Sequence, residues 1–177
     1  KAKINDDIYV SGNLGDSYLG LLVLKNKLKL NHKLRKYFNN QYFKPNIQLK
    51  LADQIKKFAN TSIDISDGLL ADLDKMINNQ KLSYKLFLKD IPISNNLKKV
   101  LDHKRLSKVN YISNGDDYQV LFTASKDTRG IIKKTSIKNR IKLTKIGIIQ
   151  SISNKNSIVD HINVEISPKN KGYFHHF

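Results

Sequence analysis

The strongest constraint on this chain lies in Thr61 to Leu70, TSIDISDGLL, where an apolar strand-like run breaks into Asp64-Ile65-Ser66-Asp67-Gly68 and resumes as an apolar helix. A strand that feeds a helix through such a turn places two carboxylates and a hydroxyl at the mouth of the core. Ser66 or Asp67 can serve as the cap of the following helix. That role accounts for one acid and leaves the other.

The rest of the chain supplies elements of both kinds. Asp7 to Ser11 alternates as a strand and leads into the glycine turn Gly12-Asn13-Leu14-Gly15-Asp16-Ser17. Leu21, Leu22, Leu24, Leu28 and Leu30 then predict a helix from about Ser17 to Leu30, started by Asp16 or Ser17. A second helical piece is expected over Lys33 to Asn39. Pro45 is expected to open a third, with a stripe of Ile47, Leu51, Ile55 and Phe58.

After the acidic turn a helix should run to about Asn78, followed by a strand over Lys85 to Leu88, a turn at Pro92 and a short helix over Asn95 to Leu101. Asn114-Gly115-Asp116-Asp117 forms a second acidic turn, directly before the apolar strand Tyr118 to Thr123. A helix is expected near Asp127 to Thr135. The last third, Ile141 to Ile149 and Ile158 to Ile166, reads as strand-rich, with Gly147 suited to a bulge or a close backbone approach. Helices and strands mixed without strict βαβ alternation predict an α+β domain, and 177 residues suit a single one.

Composition removes several function classes. There is no Cys, hence no disulfide, thiolate metal site or cysteine nucleophile. No apolar run reaches the length of a membrane span, and KAKINDDIYV has no signal-peptide core. These features lead us to expect a cytoplasmic protein without a membrane partner. The formal charge of +17 comes almost entirely from Lys, with only Arg35, Arg105, Arg129 and Arg140 besides. Lys scattered among Asn and Ile lacks the planar fork that reads bases, so weak attraction to polyanions is expected and specific nucleic-acid binding is not. Because the chain starts at Lys1 inside what reads as an element under way, it is expected to be the second part of a longer protein.

The two acidic turns together suggest a chemistry. Carboxylates gathered at strand ends suit Mg²⁺, a hard cation that bridges substrate phosphates. Ser66 can donate to a phosphate oxygen, and Gly68 lets the amides at the helix start approach an anion. A cap or a plain Asp-Gly turn is the commoner role for any one of these residues taken singly. The turn GNLGDS is not a Walker loop, since no Gly-Lys-Ser/Thr follows. Among His103, His161, His175 and His176, the terminal His-His pair has the donors for a transition metal, but a solvated surface pair is the commoner reading.

In order, SGNLGDSYLGLLVL, IDISDGLLADL, NGDDYQVLFT and the closing GYFHHF resemble the C-terminal domain of the thiamine-monophosphate kinase family. The family pattern is Thr-Gly-x-x-Gly-Asp-Ser, Asp-x-Ser-Asp-Gly-Leu, Gly-Gly-[Asp/Glu]-Asp-Tyr-Glu and Gly-Tyr-Asp-His-Phe. The resemblance implies a layered α/β/α domain with a mixed sheet, of the type found in aminoimidazole-ribonucleotide synthetase. It implies ATP-dependent phosphorylation of thiamine phosphate to thiamine diphosphate, with Mg²⁺. Asp64 and Asp67 match metal-ligand positions and Ser66 matches an ATP contact. Asp116 and Tyr173 match positions that border thiamine phosphate, where an aromatic can face the cationic thiazolium ring. The transfer would be in-line, without a covalent protein intermediate.

The resemblance also implies an N-terminal domain, absent from these 177 residues, that supplies further metal aspartates, nucleotide contacts and the interface of a homodimer. Three departures stand out: Asn114 for a glycine, Gln119 for a glutamate, and Phe174-His175-His176-Phe177 for the terminal Asp-His-Phe. They leave a folded but inactive remnant of a split kinase gene as the alternative to a working half-enzyme.

Overall fold

The computed structural model describes residues 1–170 and Gly172. Among them, six strands form one sheet: β1 (Asp7–Ser11), β2 (Ala59–Asp64), β3 (Leu82–Phe87), β4 (Val120–Ala124), β5 (Leu143–Ser151) and β6 (Ser157–Val159). Their spatial order is β2-β4-β1-β5-β3-β6. All neighbours are antiparallel except β3 and β6, which run parallel, so the sheet is mixed. The helices are α1 (Asp16–Leu24), α2 (His32–Phe43), α3 (Leu49–Ile55), α4 (Leu69–Ile77), α5 (Asn95–Lys104), α6 (Val109–Ile112) and α7 (Arg129–Asn139).

Alternation along β1 shows how the layers form. Ile8 and Val10 point into a core completed by Leu69, Leu73 and Ile77 of α4. Tyr9, between them, points the other way, into a cluster with Leu51 of α3, Phe58 and Ile132 of α7. Tyr9 also stacks on Phe122, with ring centroids 5.2 Å apart. Successive strand side chains face opposite sides of a sheet, so helices cover both faces and the domain is the layered α+β type expected. A third cluster, with Leu19, Phe38 and Leu97 fully buried, joins α1, α2 and α5.

β1 ends as predicted, but several boundaries move. Helix α1 stops at Leu24 rather than Leu30, because Asn26 turns left-handed and Lys27 N–H closes back on the Leu22 carbonyl at 2.8 Å. Leu28 and Leu30 still pack on the third cluster, from a loop. α2 extends to Phe43 from a cap by Asn31, whose side chain accepts from Leu34 N–H.

The third helix begins at Leu49, four residues after Pro45. Ile47 therefore leaves the expected stripe and stands 59% exposed, while Leu51 and Phe58 are buried. Of the 158–166 segment, only β6 and an isolated bridge between Val159 and Glu165 are extended. At Gly147 the expectation holds in both senses. The β1–β5 register shifts beside it, and a Cβ there would drive into the Lys85 carbonyl oxygen of β3.

Candidate functional site

Because β4 runs antiparallel to both of its neighbours, β1 and β2 end on the sheet edge where β4 begins. The turns that follow β1 and β2 therefore meet the turn that precedes β4. Backbone bonds continue the ladder into these turns: Tyr118 N–H donates to Ile65 O at 2.9 Å, and Asp116 N–H donates to Ser66 O at 3.0 Å. Two glycines make so close an approach possible. A Cβ on Gly115 would overlap the Ser66 carbonyl, and one on Gly68 the Ser113 carbonyl. Gly68 also has φ 127°, a value that side chains rarely adopt.

The amides at the start of α4 do face an anion, and it belongs to the chain. Asp72 Oδ2 accepts from Ser66, Asp67 and Gly68 N–H at 2.9, 2.9 and 3.0 Å. This corrects the expectation that those amides are open to a phosphate. It also shows that neither Ser66 nor Asp67 caps the helix: the N-cap is Gly68, with no side-chain cap bond. Asp72 is fully buried, and its Oδ1 accepts from Lys75 Nζ at 3.0 Å. Lys75 Nζ also pairs with Asp67 Oδ2, and contact with both carboxylates raises the pKa of the Lys75 ammonium.

Asp117 performs the matching task for α1. Its Oδ2 accepts from Gly15 N–H at 2.7 Å and its Oδ1 from Ser17 N–H at 3.4 Å. Asp16 and Ser17 thus open the helix without capping it. Burial pushes the Asp117 carboxyl up to about 8, against the opposing pull of the two amides. Asp16 is buried too, and accepts from Ser94 Oγ at 2.7 Å and Tyr37 O–H at 2.9 Å. Beside these groups a polar cavity of about 530 Å³ opens between the 12–17 turn and α2, with Lys44 and Gln119 in its wall.

The remaining acids face outward. Asp64 is exposed at the end of β2, and Ser66 and Asp67 are half-buried. Asp116 is held at φ 68°, and burial followed by repulsion from Asp67 raises its pKa. The Tyr118 phenol, 39% exposed, is raised by burial and then by Asp116, Asp64, Tyr42 and Asp67. Three carboxylates of the two acidic turns therefore share one electrostatic neighbourhood around Tyr118. Among the described residues no group of three or more His, Asp or Glu side chains is gathered closely enough to hold a metal unaided.

Tyr173 lies outside the described residues. Gly172 packs on the 66–68 turn, where an added Cβ would come within 2.9 Å of Asp67 O. Two departures from the family pattern fit without strain. Asn114 does not adopt a positive φ, and its Nδ2 donates to Asn110 O at 2.6 Å. Gln119 accepts from Ser11 Oγ at 2.8 Å and donates to Asn46 O at 3.0 Å, the second of which an ionised glutamate cannot do.

Sequence reasoning missed Asp72, Asp117 as a helix partner, Tyr118 and Lys75. Asp72 left a trace, a lone acid within the apolar run LLADL. Asp117 left none, since its partner lies 102 residues away.

No family model matches the chain. A thiamine-monophosphate kinase of Buchnera aphidicola subsp. Acyrthosiphon pisum is 35% identical over 177 residues, 98% of this chain and 54% of that relative. The structure of AaThiL complexed with AMPPCP and TMP superposes with a TM-score of 0.76 at 26% identity, covering 98% of this chain and 52% of that one. Escherichia coli HypE, 14% identical with a TM-score of 0.71 over 94% of this chain and 50% of its own, shares the fold. The chain thus spans about half the length of the curated relatives it matches.

Proposed function

We propose that this chain, a relative of thiamine-monophosphate kinases over about half of their length, is the C-terminal half of such an enzyme, phosphorylating thiamine phosphate with ATP. The observation that carries this reading is the meeting of the Asp64–Asp67 and Asp116 turns at one sheet edge, locked together by Gly68 and Gly115. The AaThiL complex holds an ATP analogue together with TMP, the two ligands this chemistry requires.

The residues take the following roles. Asp64 and Asp67 would hold Mg²⁺ through their carboxylate oxygens. Carboxylate oxygens are the donors that a hard cation takes, and Asp64, Asp67 and Asp116 all act on the Tyr118 phenol. When bound, Mg²⁺ neutralises charge on the polyphosphate. Lys75 Nζ pairs with Asp67 and offsets the repulsion between Asp67 and Asp116. Ser66 contacts the nucleotide, and Asp116 and Tyr173 border thiamine phosphate. The N-terminal domain of a complete kinase supplies the remaining ligands and the homodimer interface.

The test is thiamine diphosphate formation from Mg-ATP and thiamine phosphate, by this chain alone and with the N-terminal half of a relative supplied in trans. Product is expected in the mixture only. No product from a mixture shown to form a folded complex overturns the reading and favours an inactive remnant.

A further inference from the structure

Away from the acidic turns the chain collects positive charge around a second cavity. The 89–93 segment, α5, the start of α6 and the start of β5 enclose about 480 Å³, with Lys98, Lys108 and Lys142 in the wall. None of Asp64, Ser66, Asp67 or Asp116 lines it.

Lys108 is the unusual member. It is half-buried, and its Nζ donates to Leu88 O at 2.6 Å. A half-buried ammonium ordinarily sits against a carboxylate, because leaving water is costly. Among the described residues Lys108 forms no ion pair. Burial lowers its pKa to about 8; the more distant Asp90 opposes that shift, and Lys142 and Lys98 add to it. Lys142 is tethered at the rim, its Nζ donating to Asn13 Oδ1 at 2.9 Å. Two further wall carboxylates, Asp90 and Asp102, do not offset the four lysines that include Lys89. The cavity is therefore under-compensated, with ammonium N–H groups left to donate.

We propose that this cavity binds the phosphate group of a small-molecule anion, held by Lys98, Lys108 and Lys142. Ammonium groups act there as point charges on a dianion and donate charge-assisted hydrogen bonds. The cavity has room for a phosphate carrying a small organic group, and its excess of lysines over aspartates disfavours a cation.

Titration calorimetry with inorganic phosphate, at ionic strength held constant with sodium chloride, tests the site on this chain. Saturable binding of one phosphate per chain is expected. It should weaken about 10-fold in Lys108→Met, which keeps the buried stem, and several-fold in Lys98→Met, an exposed position where folding is not at stake. Lys138→Met, on α7, should leave it unchanged. Absence of saturable binding overturns the proposal. So does equal weakening by Lys138→Met, which would mean diffuse attraction to a chain of charge +17.

Discussion

The Asp117 carboxylate accepts the Gly15 amide hydrogen at 2.7 Å, joining two turns that lie 102 residues apart. With Ser17 N–H on its other oxygen, it serves the buried donor end of α1 and fixes the 12–17 turn against the second acidic turn. Asp117→Ala removes both acceptors, and we expect it to lower stability by about 2 kcal/mol in urea denaturation. Its raised pKa adds a pH signature. The unfolded carboxyl loses its proton near 4 and the folded one near 8, so stability falls as pH rises through that window. Asp117→Asn should flatten the slope.

Asp7 gives the opposite sign. Its buried carboxylate accepts from Arg129 Nη2 at 2.9 Å and Lys145 Nζ at 2.8 Å. These contacts outweigh burial, which is the largest single influence and raises the pKa, and hold it below the ordinary value. The stability Asp7 contributes is present above its unfolded pKa and lost as pH falls through the folded one. Acid unfolding should therefore steepen below about pH 4, and Asp7→Asn should remove that component.

Three amides depend on Asp72. Asp72→Ala should cost about 3 kcal/mol, since buried donors lose their acceptor, and Asp72→Asn about half as much. Urea midpoints of the two variants measure the difference. In the reconstituted enzyme both should also lose turnover, because the 66–68 turn no longer holds Asp67 in place.

Two glycine substitutions separate site geometry from stability. Gly115→Ala would push its methyl into the Ser66 carbonyl and part the two acidic turns. Turnover should fall at least 10-fold beyond any loss of folded protein. Gly130→Ala, within α7 and with nothing within 4 Å of the added methyl, should instead stabilise by about 0.8 kcal/mol through helix propensity.

The fold class and the acidic turns were legible in the sequence because both rest on local signals. β1 was read to the residue from alternation over DIYVS, and Gly147 was read as a bulge or close-approach site. The motif order placed Asp64, Ser66, Asp67 and Asp116 in two turns, which the sheet order brings to one edge. Helix ends were less legible. Leu28 and Leu30 kept the periodicity of a helix while a left-handed Asn26 had already ended it. What serves the helix starts was hidden for a different reason: Asp117 acts across 102 residues, and no local pattern encodes that. The amides of the 66–68 turn looked open to a ligand because a sequence does not show which carboxylate folds back onto them.

The most direct test of the account replaces Asp67 with Asn in the reconstituted kinase and measures thiamine diphosphate formation from Mg-ATP and thiamine phosphate. Asp67 sits half-buried at the joined turns and pairs with Lys75 on the exposed side, so its loss should leave folding nearly intact. Turnover should be abolished while the unfolding midpoint barely moves. Full activity in Asp67→Asn would contradict it.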